Sequence, residues 1–319
     1  MADVTPPVGR RASRKRLVAL AVLGLLVLSV VAAVLLPVAG GAAFGTDAVA
    51  VVRLAGPIQE STAASLLGGG GITPALLRQR LKQARADPSV RAVVLRLDTG
   101  GGTVAASQEM AALVRDYPLP VVVSMGDLTA SGGYYVASQA DWIVAQPGTL
   151  TGSVGVIWST YDIQGLLDKL GVELDTVTAG RHKDMFLPGR LTPERRQLVQ
   201  QMVDQMYDQF VTAVAEGRGL PQEQVRELAT GQLYTGQQAL DLGLVDALGG
   251  LEEALAEAER LAGIEGARVV ELTPSVWEQL LGGPGFGEAR ALVARLVLGD
   301  ELFLLRQFLG GYSAPRYGG

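Results

Sequence analysis

Ser131 is the residue around which a chemical reading of this 319-residue chain is built. It lies in Thr129-Ala130-Ser131-Gly132-Gly133-Tyr134, just after the apolar run Val121 to Met125. A serine where a buried strand passes into a helix, followed by two glycines, presents its hydroxyl beside open backbone. The Gly132 N–H then falls at the positive end of the helix. About thirty residues earlier, the strand-like run Arg91 to Leu97 ends in Asp98-Thr99-Gly100-Gly101-Gly102. Glycines there let backbone N–H groups face an oxyanion, and one such donor is worth about 2.7–4 kcal/mol in a transition state. A nucleophile in one turn and bare donors in the other are two parts of an acyl-transfer site. The plain alternatives are a serine that caps a helix and an ordinary glycine turn.

Such a serine needs a base. The chain has one histidine, His182, and four lysines, Lys15, Lys82, Lys169 and Lys183. Lys15 precedes an apolar segment, Lys82 sits among arginines on a solvated helix, and Lys169 lies beside Asp168 in another helix. Lys183 alone falls in a loop after a strand, in Ala179-Gly180-Arg181-His182-Lys183-Asp184. An unperturbed lysine, pKa about 10.4, is neutral in about one molecule in 2,500 at pH 7, so a lysine base requires burial. His182 is the rival, in a Ser-His-Asp arrangement with Asp98 or Asp127 as orienting acid. With no cysteine and one histidine, a thiol nucleophile, a disulfide and a multi-histidine metal centre are excluded. No metal and no cofactor is expected. The net charge of −5 argues against a nucleic-acid partner.

The elements that position these residues alternate. Strands are expected at Ala48 to Leu54, Val90 to Leu97, Val121 to Met125, Asp141 to Val144 and Val172 to Val177. Helices are expected from Thr73-Pro74, over Thr103 to Arg115, over Ser131 to Ala140, and from Thr192-Pro193 to about Glu216, with Leu198, Met202, Met206 and Phe210 on one face. Shorter helices follow at Leu166 to Leu170, Pro221 to Leu228, Thr235 to Leu242 and Leu251 to Leu261. Valine-rich strands between helices predict an α/β fold with a mainly parallel sheet.

Outside this core stand two further segments. Residues 1–16 are basic, with Arg10, Arg11, Arg14, Lys15 and Arg16, and an uncharged stretch over 17–44 follows. Its dense apolar part, Leu17 to Val38, is long enough to span a bilayer as a signal-anchor, longer than the apolar part of a cleaved signal. The small residues after Pro37 leave a cleavage site as the alternative. The cations should stay cytoplasmic, which puts the rest of the chain outside the cell membrane. Residues 45–272 form the expected catalytic domain. Residues 273–319 form a C-terminal extension in which the Gly282-Gly283-Pro284-Gly285 hinge leads into an amphipathic, leucine-rich stretch over Glu288 to Leu309.

Several stretches, taken in order, carry a family resemblance. They are Arg96 to Gly102 with Ser107, Ser131-Gly132-Gly133-Tyr134-Tyr135, Thr151-Gly152-Ser153-Val154-Gly155, Gly180 to Asp184, Arg218-Gly219 and Gly243-Leu244-Val245-Asp246. The chain resembles the signal peptide peptidase A family in its short, membrane-anchored form, over roughly Val49 to Ala262. The resemblance implies a crotonase-like fold, related to the caseinolytic protease subunit, and a Ser/Lys dyad. It implies Ser131 as nucleophile, Lys183 as general base and Ser153 as the residue orienting that lysine. Gly102 and Gly132 become the oxyanion donors. It further implies a ring-like homo-oligomer at the bacterial membrane whose peptide substrates are remnant signal peptides. Asp98-Thr99-Gly100 departs from the family's usual Asn-Ser-Pro, so Asp98 either places a charge near the site or pairs with Arg96. Rival readings are a crotonase-type acyl-CoA enzyme, a non-catalytic scaffold, and a related membrane peptidase acting on stomatin-like proteins.

Overall fold

The computed structural model describes residues 47–61, 71–185, 187 and 191–272. The expected membrane anchor over 17–44, the basic N-terminus and the extension over 273–319 lie outside the described residues, as do Gly68 to Gly70, Pro188 and Gly189. Among the described residues, no helix is long and apolar enough to cross a membrane.

The centre is a mixed, mostly parallel sheet. Strand β1 (Ala48–Ala55) lies between β2 (Val90–Thr99) and β8 (Arg268–Glu271), and β2 pairs with β3 (Val121–Ala130), all parallel. β1 buries alternate residues on opposite faces. Ala48, Ala50, Val52 and Leu54 join one apolar cluster, whereas Val49 and Val51 join another. Burial on both faces is why these strands read as unbroken valine and leucine runs. One face is covered by helices α1 (Pro74–Ala86), α2 (Val104–Arg115), α3 (Gly132–Ala137) and α5 (Pro193–Arg218). The other is covered by α8 (Leu251–Ala262) through Ala254 and Ala258.

Helix starts follow the capping signals. Thr73 Oγ1 accepts from Leu76 N at 3.1 Å, and Thr192 Oγ1 from Arg195 N at 3.3 Å, each with proline in the first turn. The buried face of α5 is Val199, Phe210, Val211 and Val214. Of the expected stripe only Phe210 is fully buried, because the helix rests on the domain chiefly through its C-terminal half.

β3 runs five residues past its expected end, and this extension builds the site. Its first half, Val122 to Ser124, pairs with β4 (Trp142–Ala145); its last three residues pair with β5 (Leu150–Gly152). Thr149 Oγ1 donates to Gly126 O at 2.8 Å, and Asp98 Oδ1 accepts from Leu128 N at 3.1 Å, tying the strand where its partner changes. β5 pairs antiparallel with β6 (Leu233–Thr235), and β4 pairs with β7 (Ala247–Leu248).

The expected strand over Val172 to Val177 does not form. That segment is exposed and without a sheet neighbour among the described residues, so its backbone has no ladder to join. It follows α4 (Gln164–Leu170), a helix with no buried residue. The remaining helices, α6 (Gln222–Leu228) and α7 (Gly236–Asp241), lie at the expected positions. Arg218 and Asp246, both in the motif stretches, form a bidentate ion pair at 2.6 and 3.0 Å that ties the end of α5 to the turn before β7.

Candidate active site

Ser131 directly follows β3 and directly precedes α3, with φ 51° and ψ −123°. A non-glycine residue at positive φ stores about 1–3 kcal/mol and persists only where its surroundings enforce it. Here the Ser131 N–H donates to Gly152 O at 2.8 Å, and Ser131 O accepts from Tyr135 N at 2.9 Å. The side chain is half-buried. Because α3 begins at Gly132, the N–H groups of its first turn have no partner within the helix.

The two glycine turns pack back to back. A Cβ on Gly101, where φ is 96°, would lie 2.6 Å from Gly132 N and 2.9 Å from Ser131 Cβ. One on Gly132 would lie 2.3 Å from Ser107 Oγ and 3.2 Å from Gly102 N. One on Gly133 would lie 2.5 Å from Thr99 Cγ2. Each of these positions requires glycine for packing. Gly102 is clamped from the other side: Ile58 N donates to Gly101 O at 2.9 Å, and Thr103 N donates to Ile58 O at 3.0 Å. A Cβ there would collide with Ile58 O at 1.8 Å.

Ser153 is the other non-glycine residue at positive φ among the described residues, also at 51°. Its N–H donates to Gln232 O at 2.8 Å. It follows the residue whose carbonyl holds Ser131, so the two serines occupy neighbouring strand ends. The structure therefore brings Ser131, Gly132, Gly102 and Ser153 together.

No hydrogen bond joins Lys183 to them. Lys183 is exposed, in a turn closed by its N–H donating to Gly180 O at 3.1 Å. Its neighbours are tied to the start of α5. Arg181 pairs with Glu194 at 2.9 Å, His182 Nε2 lies 3.7 Å from Glu194 Oε1, and Asp184 accepts from Arg195 at 2.7 Å through both oxygens. Those bonds from Arg195 hold the Asp184 carboxyl below the usual carboxylate range. His182 thus faces Glu194 and forms no ion pair with Asp98 or Asp127.

The departure at Asp98 resolves structurally. Arg96 does not pair with it; the guanidinium donates to Ser124 Oγ at 2.9 Å and Met125 O at 2.6 Å. Asp98 is the acceptor that fixes Leu128 N, a task an asparagine oxygen also performs. Sequence reasoning passed over Ile58 and gave no role to Thr99, Ser107, Thr129 and Thr151, although these four stand in the quoted stretches; all five shape the turns. A signal for the threonines was present: each stands two residues before Gly101, Ser131 or Ser153.

The sequence profile of peptidase family S49 matches residues 114–265. The chain is 38% identical over 216 residues to a putative protease of Methanocaldococcus jannaschii, covering 64% of this chain and 68% of that protein. The chain belongs to peptidase family S49. A putative protease of Synechocystis sp. is 43% identical over 181 residues, covering 56% of this chain and 65% of that protein. A putative signal peptide peptidase SppA of Enterococcus faecium is 38% identical over 196 residues, covering 60% and 57%. The chain thus spans less than two thirds of the length of these last two relatives. Within the S49 match lie Ser131, Gly132, Ser153 and Lys183, whereas Gly102 precedes it.

Proposed function

We propose that this S49 member is a membrane-anchored serine endopeptidase with a Ser131/Lys183 dyad that degrades remnant signal peptides and similar hydrophobic peptides. The observation that carries the reading is the strained Ser131 turn packed against the Gly101-Gly102 turn. Ser131 Oγ attacks the scissile carbonyl carbon while neutral Lys183 accepts its proton. The tetrahedral oxyanion takes hydrogen bonds from the N–H groups of Gly102 and Gly132. Collapse expels the amine, protonated by Lys183, and leaves an acyl-enzyme. Lys183 then activates water, and a second collapse releases the acid and restores Ser131. Ser153 orients the lysine.

The substrate class draws on the name of the Enterococcus faecium relative. The anchor draws on the apolar segment Leu17 to Val38 behind its five cations, with the domain over 45–272 extracytoplasmic. A lysine acts as base only where burial favours its neutral form. Lys183 is exposed in the single chain, and a homo-oligomer is the arrangement that covers it. The crotonase-like architecture is consistent with repeated strand-turn-helix units ending in Gly102 and Ser131.

The test is cleavage of a hydrophobic peptide by the full chain in detergent. Ser131→Ala and Lys183→Ala each abolish turnover, and His182→Ala keeps most of it. Wild-type rates in either of the first two variants would refute the dyad, and collapse in His182→Ala would restore the histidine reading.

A further inference from the structure

Three buried threonines stand in register across the three strands that lead to the site. Thr99 ends β2, Thr129 lies in β3 and Thr151 in β5; Thr99 pairs with Thr129, and Thr129 with Thr151. Their exposures are 3%, 0% and 0%. Each precedes by two residues a position with positive φ: Gly101 at 96°, Ser131 at 51° and Ser153 at 51°. Both non-glycine residues of this kind among the described residues therefore follow a member of this row.

The hydroxyls are all engaged. Thr151 Oγ1 donates to Thr129 O at 2.6 Å, Thr129 Oγ1 donates to Leu97 O at 2.9 Å, and Thr99 Oγ1 accepts from Gly101 N at 3.1 Å. The row runs from β5 through β3 to β2 and ends on the oxyanion turn. Packing alone does not ask for hydroxyls here, since valine has the same shape without the polar atom. A buried hydrogen bond adds a modest net stabilisation, and a strained non-glycine φ costs a comparable amount. Three such bonds are of the size needed to keep Ser131 and Ser153 where they are.

We propose that Thr99, Thr129 and Thr151 are positioning residues that lock the Gly102 N–H, Ser131 and Ser153 into one geometry. The inference rests on the reading of Ser131 as nucleophile. The row lies beneath the turns and touches no substrate, so its loss acts on turnover and leaves binding alone. A displacement of about 1 Å at a reacting group costs up to about 100-fold in rate.

The experiment uses the full chain in detergent with Thr129→Val, Thr151→Val and Thr99→Val, each beside its Thr→Ser counterpart. Peptide cleavage gives kcat and KM, and a fluorophosphonate gives the labelling rate of Ser131 per folded molecule. The valine variants are expected to lose about 10- to 100-fold in kcat and in labelling rate with KM within about twofold, and the serine variants to recover most of it. Wild-type labelling rates per folded molecule in the valine variants would overturn the proposal, whatever their melting temperatures. So would a rise in KM at unchanged kcat, or serine variants as slow as the valine ones. Cleavage surviving in Ser131→Ala would overturn the nucleophile reading and the row with it. Loss in Ser131→Ala beside full rates in all three valine variants would overturn the row alone.

Discussion

Replacing Gly132 by alanine puts a methyl group where the structure has no room for one. The new Cβ would lie 2.3 Å from Ser107 Oγ, with Gly102 N at 3.2 Å and Ser107 Cβ at 3.3 Å as the next contacts. Ser107 is buried, and its hydroxyl donates to Thr103 O at 2.9 Å, so it gives way only by breaking that bond. Overpacking of this kind costs about 1–3 kcal/mol, offset by about 0.5–1 kcal/mol from replacing a helical glycine. A net loss of about 1–2 kcal/mol is expected, which lowers Tm by roughly 2–8 °C in a domain of this size. Ser107→Ala removes the obstructing oxygen and costs about 1 kcal/mol through the lost hydrogen bond. The double variant is then no less stable than Ser107→Ala alone, a favourable coupling of about 1–2 kcal/mol in a double-mutant cycle. Chemistry follows a different course. With Ser107 trimmed, the methyl still sits against Gly102 N, so labelling by a fluorophosphonate stays at least about tenfold below wild type. Thermal melts and labelling rates on the four proteins read both effects. A Gly132→Ala protein as stable as wild type, or one that Ser107→Ala fails to rescue, would refute the packing of the two turns. Full recovery of labelling in the double variant would refute the placement of the oxyanion donors.

Two further outcomes are expected. Arg218 is 7% exposed and holds both oxygens of Asp246, one of which also accepts from Ile143 N at 2.8 Å. Arg218→Met strands that carboxylate and costs about 3–5 kcal/mol in urea unfolding, with partial recovery when Asp246→Asn is added. A change under about 1 kcal/mol in Arg218→Met would refute the account. The Asp184 carboxyl is depressed by its hydrogen bonds from Arg195. A folded pKa below the unfolded one means that the stabilisation is complete above the unfolded value, about 3.9, and is lost as pH falls through the lowered folded value. Hydrogen-exchange protection of residues 180–185, corrected for the intrinsic rate, should therefore fall below about pH 4 in wild type, and Asp184→Asn should show that lowered protection already at neutral pH.

How much of this could be read beforehand depended on whether neighbours or local chemistry set the outcome. β1 and β2 were legible because burial on both faces leaves unbroken runs such as Ala48 to Val52 and Ala92 to Leu95. The starts at Thr73-Pro74 and Thr192-Pro193 were legible because caps are local. The second half of β3 was not. Gly126 and Asp127 interrupt the apolar run, and the strand continues only because β5, Thr149 and Asp98 receive it. Val172 to Val177 failed in the opposite sense. Its pattern suits a strand, yet strand preference is realised only against a partner. In the site, Ser131 and the glycines were visible as types that do chemistry. The threonines beneath them were hidden, since threonine in a strand ordinarily signals no more than a half-buried surface.

The proposed site divides between two kinds of structure. Ser131, Gly132, Gly102 and Ser153 sit on strand ends and turns fixed by buried contacts, so their geometry is set by the single chain. Lys183 sits beyond a stretch that buries almost nothing, with Ile157 90% exposed and Val177 96% exposed. Large apolar side chains left open in this way mark a surface that meets another molecule. The same stretch carries Asp162, Asp168, Glu173 and Asp175 against Lys169 alone, a balance that disfavours an anionic lipid surface and suits a protein partner. The proposed mechanism makes its conformation, and with it the position of Lys183, depend on what it packs against. On the proposed mechanism the nucleophile and the oxyanion donors are ready in every chain, while the base is delivered by assembly. Burial of Lys183 and burial of the open apolar side chains before it then become one event, and an unassembled chain holds a complete oxyanion site without a competent base.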